Sequence, residues 1–190
     1  MIAHLHYLHI LTYAIWMVSE VYLNRFARSG NIAKEKKDNG SESILWITAF
    51  IAIALGVMFC MYTDFSIFQN PMLSQIGLVV MLLGISFRFI AIRQLGKFFT
   101  VDVILHADHQ LIQTGLYKKL RHPSYTGIMI TLAGFGLSLN NYVSLVLVVS
   151  LFFVALQNRI NIEEKALLQK FGMMYEQYSK TTWKLIPFVF

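Results

Sequence analysis

The sequence predicts an all-α integral membrane protein with about five transmembrane helices in one domain, residues 1–190. Three observations lead there. The 190 residues are 56% hydrophobic and only 14% charged, whereas a soluble domain carries roughly a quarter charged residues. Apolar stretches recur at the length a helix needs to cross the hydrocarbon core, about 20 residues. All 16 Lys and Arg fall into three segments of the chain. Despite a net charge of +6, that clustering is a signal of membrane topology, and it leaves no separate basic domain for a nucleic acid.

The first span covers 5–27. It starts close to Met1 without a basic leader or a small-residue cleavage site, so it is read as a retained helix and not as a signal peptide. The stretch "RSGNIAKEKKDNGSES" is polar, charged and Gly/Ser-containing, hence a loop. The second span, 43–63, holds Cys60, the chain's one cysteine, which can form no internal disulfide and is read as a small core residue and not as a reactive thiol. "TDFSIFQNP" contains no Lys or Arg, and its Pro71 suits the first turn of the third span, 72–93. Residues 94–122 form a long polar connection. The fourth and fifth spans, 123–138 and 141–158, are joined so tightly through "GLSLNNY" that they form an antiparallel hairpin. Both are short, so tilt or local bilayer thinning is expected. In the tail "NRINIEEKALLQKFGMMYEQYSK", Ile160, Leu167, Leu168, Phe171 and Tyr175 recur at helical spacing. This predicts an amphipathic helix that continues from the fifth span and folds over the membrane face.

Charge orients the bundle. Arg25–Lys37, Arg88–Arg121 and Arg159–Lys184 together contain every Lys and Arg, and with five spans all three segments lie on one side. By the positive-inside rule that side is cytoplasmic, with the N-terminus outside and the C-terminus inside. The expected membrane is the inner membrane of a prokaryote or the endoplasmic reticulum of a eukaryote. Glu20 and Arg88 lie within apolar segments, where they either pair with each other or Arg88 snorkels. Gly77, Gly84 and Ala91 form a small-residue stripe on the third span, as do Gly127, Thr131, Gly134 and Ser138 on the fourth. These predict close helix packing, with a path for a lipid tail between spans as the alternative. His4, His6 and His9 have no acid or cysteine beside them and are read as interfacial, so no metal is assigned.

Two polar clusters stand out on the cytoplasmic side. In "RHPSYTG", Pro123 suits the first helical position, which leaves His122 near the N-cap. The amino end of that helix favours an anion, Arg121 and His122 add donors, and Tyr125 adds an aromatic face. An interfacial belt of Arg and Tyr is the plainer reading. In "RINIEE", Arg159 and Glu163 are four residues apart and share a helix face, with Glu164 beside them; here the plainer reading is a surface ion pair. The hairpin, however, brings the ends of the fourth and fifth spans together, so both clusters face one pocket.

From Gly96 to Pro187 the chain resembles the isoprenylcysteine carboxyl methyltransferase family, within the wider group that includes phospholipid methyltransferases. The resemblance is carried by "LGKFF", "HQLIQTGLY", "RHPSYTG", "RINIEE", "FGMMYEQY" and "IP", in that order with similar spacing. The first half matches in hydropathy alone. The resemblance implies a pocket for S-adenosyl-L-methionine formed by the 94–122 segment and the C-terminal helix, in a cofactor-binding half spanning 94–190. It implies cofactor contacts from Asp102, His109, Gln110, Leu111, Ile112, Tyr117, His122, Pro123, Ser124, Tyr125 and Glu163, and a substrate-holding, catalytic role for Arg159. Two positions depart from the pattern: Phe99 stands where relatives often carry Trp, and Asp102 where an amide is frequent. A zinc set of His106, His109 and His122 ranks below cofactor binding.

The residues suit this chemistry on their own terms. S-adenosylmethionine carries a carboxylate, an ammonium and a sulfonium. An acid such as Glu163 can pair with the ammonium or the ribose hydroxyls, and the helix end and His122 suit the carboxylate. Leu111, Ile112 and the tyrosines offer apolar walls to the adenine. An ionised carboxylate acceptor needs no general base, only in-line placement and exclusion of water, with Arg159 able to orient it bidentately. The expected partner is a lipophilic or lipidated acceptor in the membrane. Methylation of an amine or a thiol is the alternative within this chemistry. A sterol-type reductase using NADPH and a non-catalytic membrane scaffold are alternatives outside it.

Overall fold

A computed structural model describes residues 2–26, 40–68, 72–99 and 110–188. Among the described residues six α-helices carry the fold: α1 Ile2–Phe26, α2 Ser41–Tyr62, α3 Met72–Leu95, α4 Pro123–Ser138, α5 Tyr142–Phe171 and α6 Met173–Thr181. Short 3₁₀ turns occupy Gly96–Phe98 and Gly115–Lys118, and no strand is present among the described residues. Among the described residues three helices are long and apolar enough to cross a membrane: Ser41–Tyr62, Met72–Phe98 and Tyr142–Phe171. Large apolar side chains such as Ile47, Phe50, Val79, Leu83, Val146 and Val154 point outward and are exposed. A soluble protein hides such residues, whereas a bilayer solvates them, so this is a membrane protein.

The helix ends follow local chemistry. Pro123 opens α4, where its missing N–H costs nothing. Asn140 adopts a left-handed φ of 51°, and Asn141 caps α5 by accepting from the Ser144 N–H at 3.0 Å. The expected tight α4–α5 turn is therefore present. The same two asparagines hold the α2–α3 connection: the Asn141 amide donates to the Thr63 hydroxyl at 3.1 Å, and Asn140 exchanges hydrogen bonds with the Phe68 backbone. At the other end, α5 continues past the expected span into the tail without a break and reaches Phe171, as the helical spacing of the tail predicts. Gln157 to Lys170 supply good helix formers and no Gly or Pro, so nothing in the chain stops the helix. Gly172, with φ 53°, ends α5 and starts α6.

Packing is closest between α3 and α4. A Cβ placed on Gly84 would lie 2.5 Å from the Thr131 nitrogen, and one on Gly134 would lie 2.5 Å from the Met81 nitrogen. The two small-residue stripes thus let the backbones approach, as close packing in lipid requires. The α2–α5 pair is fastened by the Ser144 hydroxyl donating to the Gly56 carbonyl at 2.6 Å. Met81, Leu132, Val148, Phe152, Leu156 and Ile160 are fully or almost fully buried where α3, α4 and α5 meet. These contacts gather the last turns of α1 and α3, the first turns of α2 and α4, and the polar half of α5 at one end of the bundle. The opposite end, 63–68 and 139–142, contains no Lys or Arg.

Glu20 and Arg88 pair within the bundle. Glu20 Oε1 lies 3.0 Å from Arg88 Nε, and Arg88 Nη2 donates to Glu20 Oε2 at 3.1 Å. Arg88 Nη1 also donates to the Ser124 hydroxyl at 3.1 Å and to its carbonyl at 3.2 Å. The sequence left snorkelling open as an alternative, and the guanidinium instead turns inward and ties α1 and α3 to the first turn of α4.

Candidate active site at the polar end of the bundle

The two polar clusters meet. The Tyr125 hydroxyl, one turn into α4, donates to Glu163 Oε2 on α5 at 2.8 Å. With its proton committed there, the phenolic oxygen accepts from Arg159 Nε at 3.1 Å. Arg159 Nη1 donates in turn to the Ser41 hydroxyl at 2.8 Å. The i, i+4 spacing of Arg159 and Glu163 sets both against one tyrosine, and the polar chain runs Glu163–Tyr125–Arg159–Ser41 across three helices. Arg159 is only 3% exposed and Ser41 2%. A cation this deeply buried needs such partners, because burial without them is strongly unfavourable.

His122 sits at the N-cap of α4 with its ring stacked on Tyr125, centroids 5.6 Å apart and planes 23° from parallel. The imidazole lies between two acids: Nδ1 is 3.8 Å from Glu163 and Nε2 is 3.3 Å from Glu164. Glu164 has further partners. Arg121 Nε donates to it at 2.8 Å, and Lys184 Nζ lies 3.4 Å away. Burial opposes charge on Glu164, but the His122 hydrogen bond and the charges of His122, Arg121 and Lys184 outweigh it and hold the carboxyl down at about 2.

Glu164 and Arg121 belong to a clasp that fixes the C-terminal segment. Arg121 Nη1 donates to the Ser179 carbonyl at 2.6 Å and to the Thr182 carbonyl. The Arg121 N–H bonds the Trp183 carbonyl at 2.8 Å, the His122 N–H bonds the Lys184 carbonyl at 3.1 Å, and the Trp183 N–H bonds the Lys119 carbonyl at 3.0 Å. Thr126 Oγ1 donates to the Leu185 carbonyl at 2.8 Å. Arg121, which the sequence offered as a donor to a bound anion, is thus engaged in holding the strap that runs beside "RHP".

The remaining site residues spread out. Tyr117 is buried in its 3₁₀ turn, where its carbonyl accepts from the Tyr178 hydroxyl at 2.7 Å. Burial, and after it the negative charge of Glu163, push the Tyr117 phenol above its ordinary value. The phenol is therefore neutral at ordinary pH. Gln110 is exposed, and Leu111 and Ile112 are half-buried. Pro123 is fully buried, and the Ser124 side chain faces Arg88. Asp102 and His109, with the zinc alternative's His106, lie outside the described residues.

Two contributors escaped the sequence reading. Ser41 meets Arg159 across 118 positions of sequence and gives no local signal. Gln94 Oε1 accepts from the Leu116 N–H at 2.8 Å, which pins the turn preceding "RHP". A Cβ on Gly115, whose φ is +61°, would collide with that glutamine side chain. A separate open cleft of about 390 Å³ is lined by Asn161, Glu164, Lys165, Leu168, Tyr175 and Ser179, among others. Its α5 residues recur at i, i+3, i+4 and i+7, which places it on the face of α5 turned away from Arg159 and Glu163.

Comparison with known proteins supplies independent findings. Residues 76–169 match the model of the isoprenylcysteine carboxyl methyltransferase (ICMT) family. The chain is 32% identical over 158 residues to protein-S-isoprenylcysteine O-methyltransferase A of Arabidopsis thaliana, covering 80% of each protein. It is 30% identical over 157 residues to the Saccharomyces cerevisiae protein-S-isoprenylcysteine O-methyltransferase, covering 80% of this chain and 66% of the yeast protein. It spans 62% of the length of a probable protein-S-isoprenylcysteine O-methyltransferase from rice, at 34% identity. Among solved structures, it matches a eukaryotic intramembrane Ras methyltransferase of the isoprenylcysteine carboxyl methyltransferase type. That match has a TM-score of 0.59 at 28% identity, over 80% of this chain and 53% of the other.

Proposed function

Because the chain belongs to the isoprenylcysteine carboxyl methyltransferase family, we propose that it is an S-adenosylmethionine-dependent membrane methyltransferase that esterifies the carboxylate of an isoprenylcysteine-like or other lipophilic acceptor. The observation that carries this reading is the convergence of "RHPSY" and "RINIEE" on the Tyr125–Glu163 hydrogen bond of 2.8 Å. The membrane arrangement that accompanies it has five crossings, with the N-terminus outside and the polar end of the bundle in the cytoplasm.

The donor set fits the cofactor. Glu163 keeps a partly exposed carboxylate, 30% accessible at its side chain, which suits an ammonium or a pair of ribose hydroxyls. The stacked His122–Tyr125 pair gives a flat polar wall, and Leu111 and Ile112 retain accessible apolar surface. S-adenosylmethionine, when bound, supplies an electrophilic methyl group on a sulfonium. The protein then has to bind, orient and desolvate. A terminal carboxylate ionises near 3.5 and is already nucleophilic at neutral pH, so no side chain need remove a proton. Arg159, oriented through Tyr125 and Ser41, aligns that carboxylate, and the buried surroundings keep water out. An amine acceptor would instead require a base. Glu164 is a poor one, since its partners hold it ionised at about 2.

The test pairs binding with turnover on the detergent-solubilised full chain. Calorimetry should show binding of S-adenosylhomocysteine and none of NADPH. Labelled methyl should pass from S-adenosylmethionine to an S-isoprenylcysteine with a free carboxylate and not to its amide. NADPH binding without S-adenosylhomocysteine binding would favour the reductase reading, and binding of neither would favour a scaffold.

A further inference from the structure

We propose that Ser41, the first residue of α2, is a positioning residue that sets the guanidinium of Arg159 for the methyl acceptor. The inference rests on the methyltransferase reading above and extends the site to a helix that the family match, residues 76–169, does not reach. Arg159 projects from α5 with Nε on the Tyr125 hydroxyl at 3.1 Å and Nη1 on the Ser41 hydroxyl at 2.8 Å. Two contacts at different nitrogens fix both the position and the plane of a guanidinium. The plane matters because bidentate recognition of a carboxylate works only when the two groups are coplanar. Ser41 adds to the Tyr125 contact at Nε a second restraint, at Nη1.

Ser41 is not the N-cap of α2. The N-cap of α2 is Gly40, left-handed at φ 74° and without a side chain to cap with. Ser41 begins the helix proper, is almost fully buried, and turns its oxygen to α5. Nor does the α2–α5 pair depend on this contact to assemble. At the far end the Ser144 hydroxyl bonds the Gly56 carbonyl at 2.6 Å and the Asn141 amide bonds Thr63. Val148 packs over Gly56, and Ala49 and Ala52 are buried along the seam. A Ser41 variant therefore keeps the fold while losing the constraint on Arg159.

The expected signature separates acceptor from cofactor. In the full-length protein, Ser41→Ala should lower kcat/KM for an S-isoprenylcysteine carboxylate by about tenfold, as loss of one hydrogen bond to a charged group does. Its Kd for S-adenosylhomocysteine should stay within about twofold of wild type, because Glu163 and His122 are untouched. Ser41→Thr, which keeps the hydroxyl, should restore most of the loss. Unchanged acceptor kinetics in Ser41→Ala would overturn the proposal, as would an equal loss in cofactor affinity, which would mark a general structural effect. A wild-type protein that neither binds S-adenosylhomocysteine nor transfers methyl would instead refute the underlying methyltransferase reading, and this proposal with it.

Discussion

Consider the removal of Glu20. Glu20 and Arg88 are 6% and 9% exposed, their charged groups are 3.0–3.1 Å apart at two atom pairs, and Arg88 also holds Ser124 at 3.1 and 3.2 Å. Glu20→Leu leaves a buried cation with only neutral acceptors. Breaking a buried pair by deleting one partner costs about 3–5 kcal/mol, whereas replacing both partners with apolar groups of similar volume is near neutral. At about 2–4 °C per kcal/mol for a chain of this size, Glu20→Leu should lower the unfolding midpoint in detergent by roughly 6–20 °C. The double variant Glu20→Leu/Arg88→Met should recover most of that loss, because the charge left without its partner is gone. Differential scanning fluorimetry on wild type, Glu20→Leu, Arg88→Met and the double variant measures it. If Glu20→Leu unfolded within a degree or two of wild type, or if the double variant were worse than either single one, the ion pair would not be the tether between α1, α3 and α4 described above.

Two further outcomes concern the site itself. Glu163→Ala should weaken S-adenosylhomocysteine binding at least tenfold by calorimetry, whereas Arg159→Ala should leave that affinity nearly intact and abolish most methyl transfer. Glu164 is held well below its ordinary pKa of 4.5, at about 2, so its contribution is present above about 4.5 and is lost as pH falls toward 2. Glu164→Gln should therefore be less stable than wild type at neutral pH, and the gap should close progressively across that acid window in thermal-unfolding curves. A gap independent of pH would mean that the clasp around Arg121 and Lys184 does not act through the charge of Glu164.

Much of this architecture was legible because the bilayer imposes simple rules. Where Lys and Arg are missing, between residues 38 and 87 and between 122 and 158, the described residues from Ser41 to Phe68, from 72 to 87 and from 123 to 158 are helical and apolar or turn at the far end. Glycines at 77, 84, 127 and 134 mark the α3–α4 contact because only small residues allow that approach. The meeting of Tyr125 with Glu163 followed from one topological step, a hairpin too tight to separate its two helices. What stayed hidden depends on contacts without a local pattern. Nothing near Ser41 announces Arg159, and nothing in "TTWKLIP" announces a strap bonded to residues 119–122. The helical continuation of the fifth span was legible in the spacing of Ile160, Leu167, Leu168 and Phe171; the break at Gly172, which sets Tyr175 on a separate helix, was not. The contacts expected of Asp102 and His109 fall on residues outside those described, and for Pro123 and Ser124 the described surroundings are the buried α4 start and Arg88.

The central claim is that Tyr125 and Glu163, brought together from different helices, act as one unit in holding the methyl donor. A double-mutant cycle with Tyr125→Phe and Glu163→Gln, read as the Kd of S-adenosylhomocysteine by calorimetry, tests it most directly. Wild type should bind measurably, with a coupling energy of about 1–2 kcal/mol between the two positions, in the range found for contacting residues. Effects that add to within about 0.3 kcal/mol, or a wild-type protein that gives no binding heat, would contradict it.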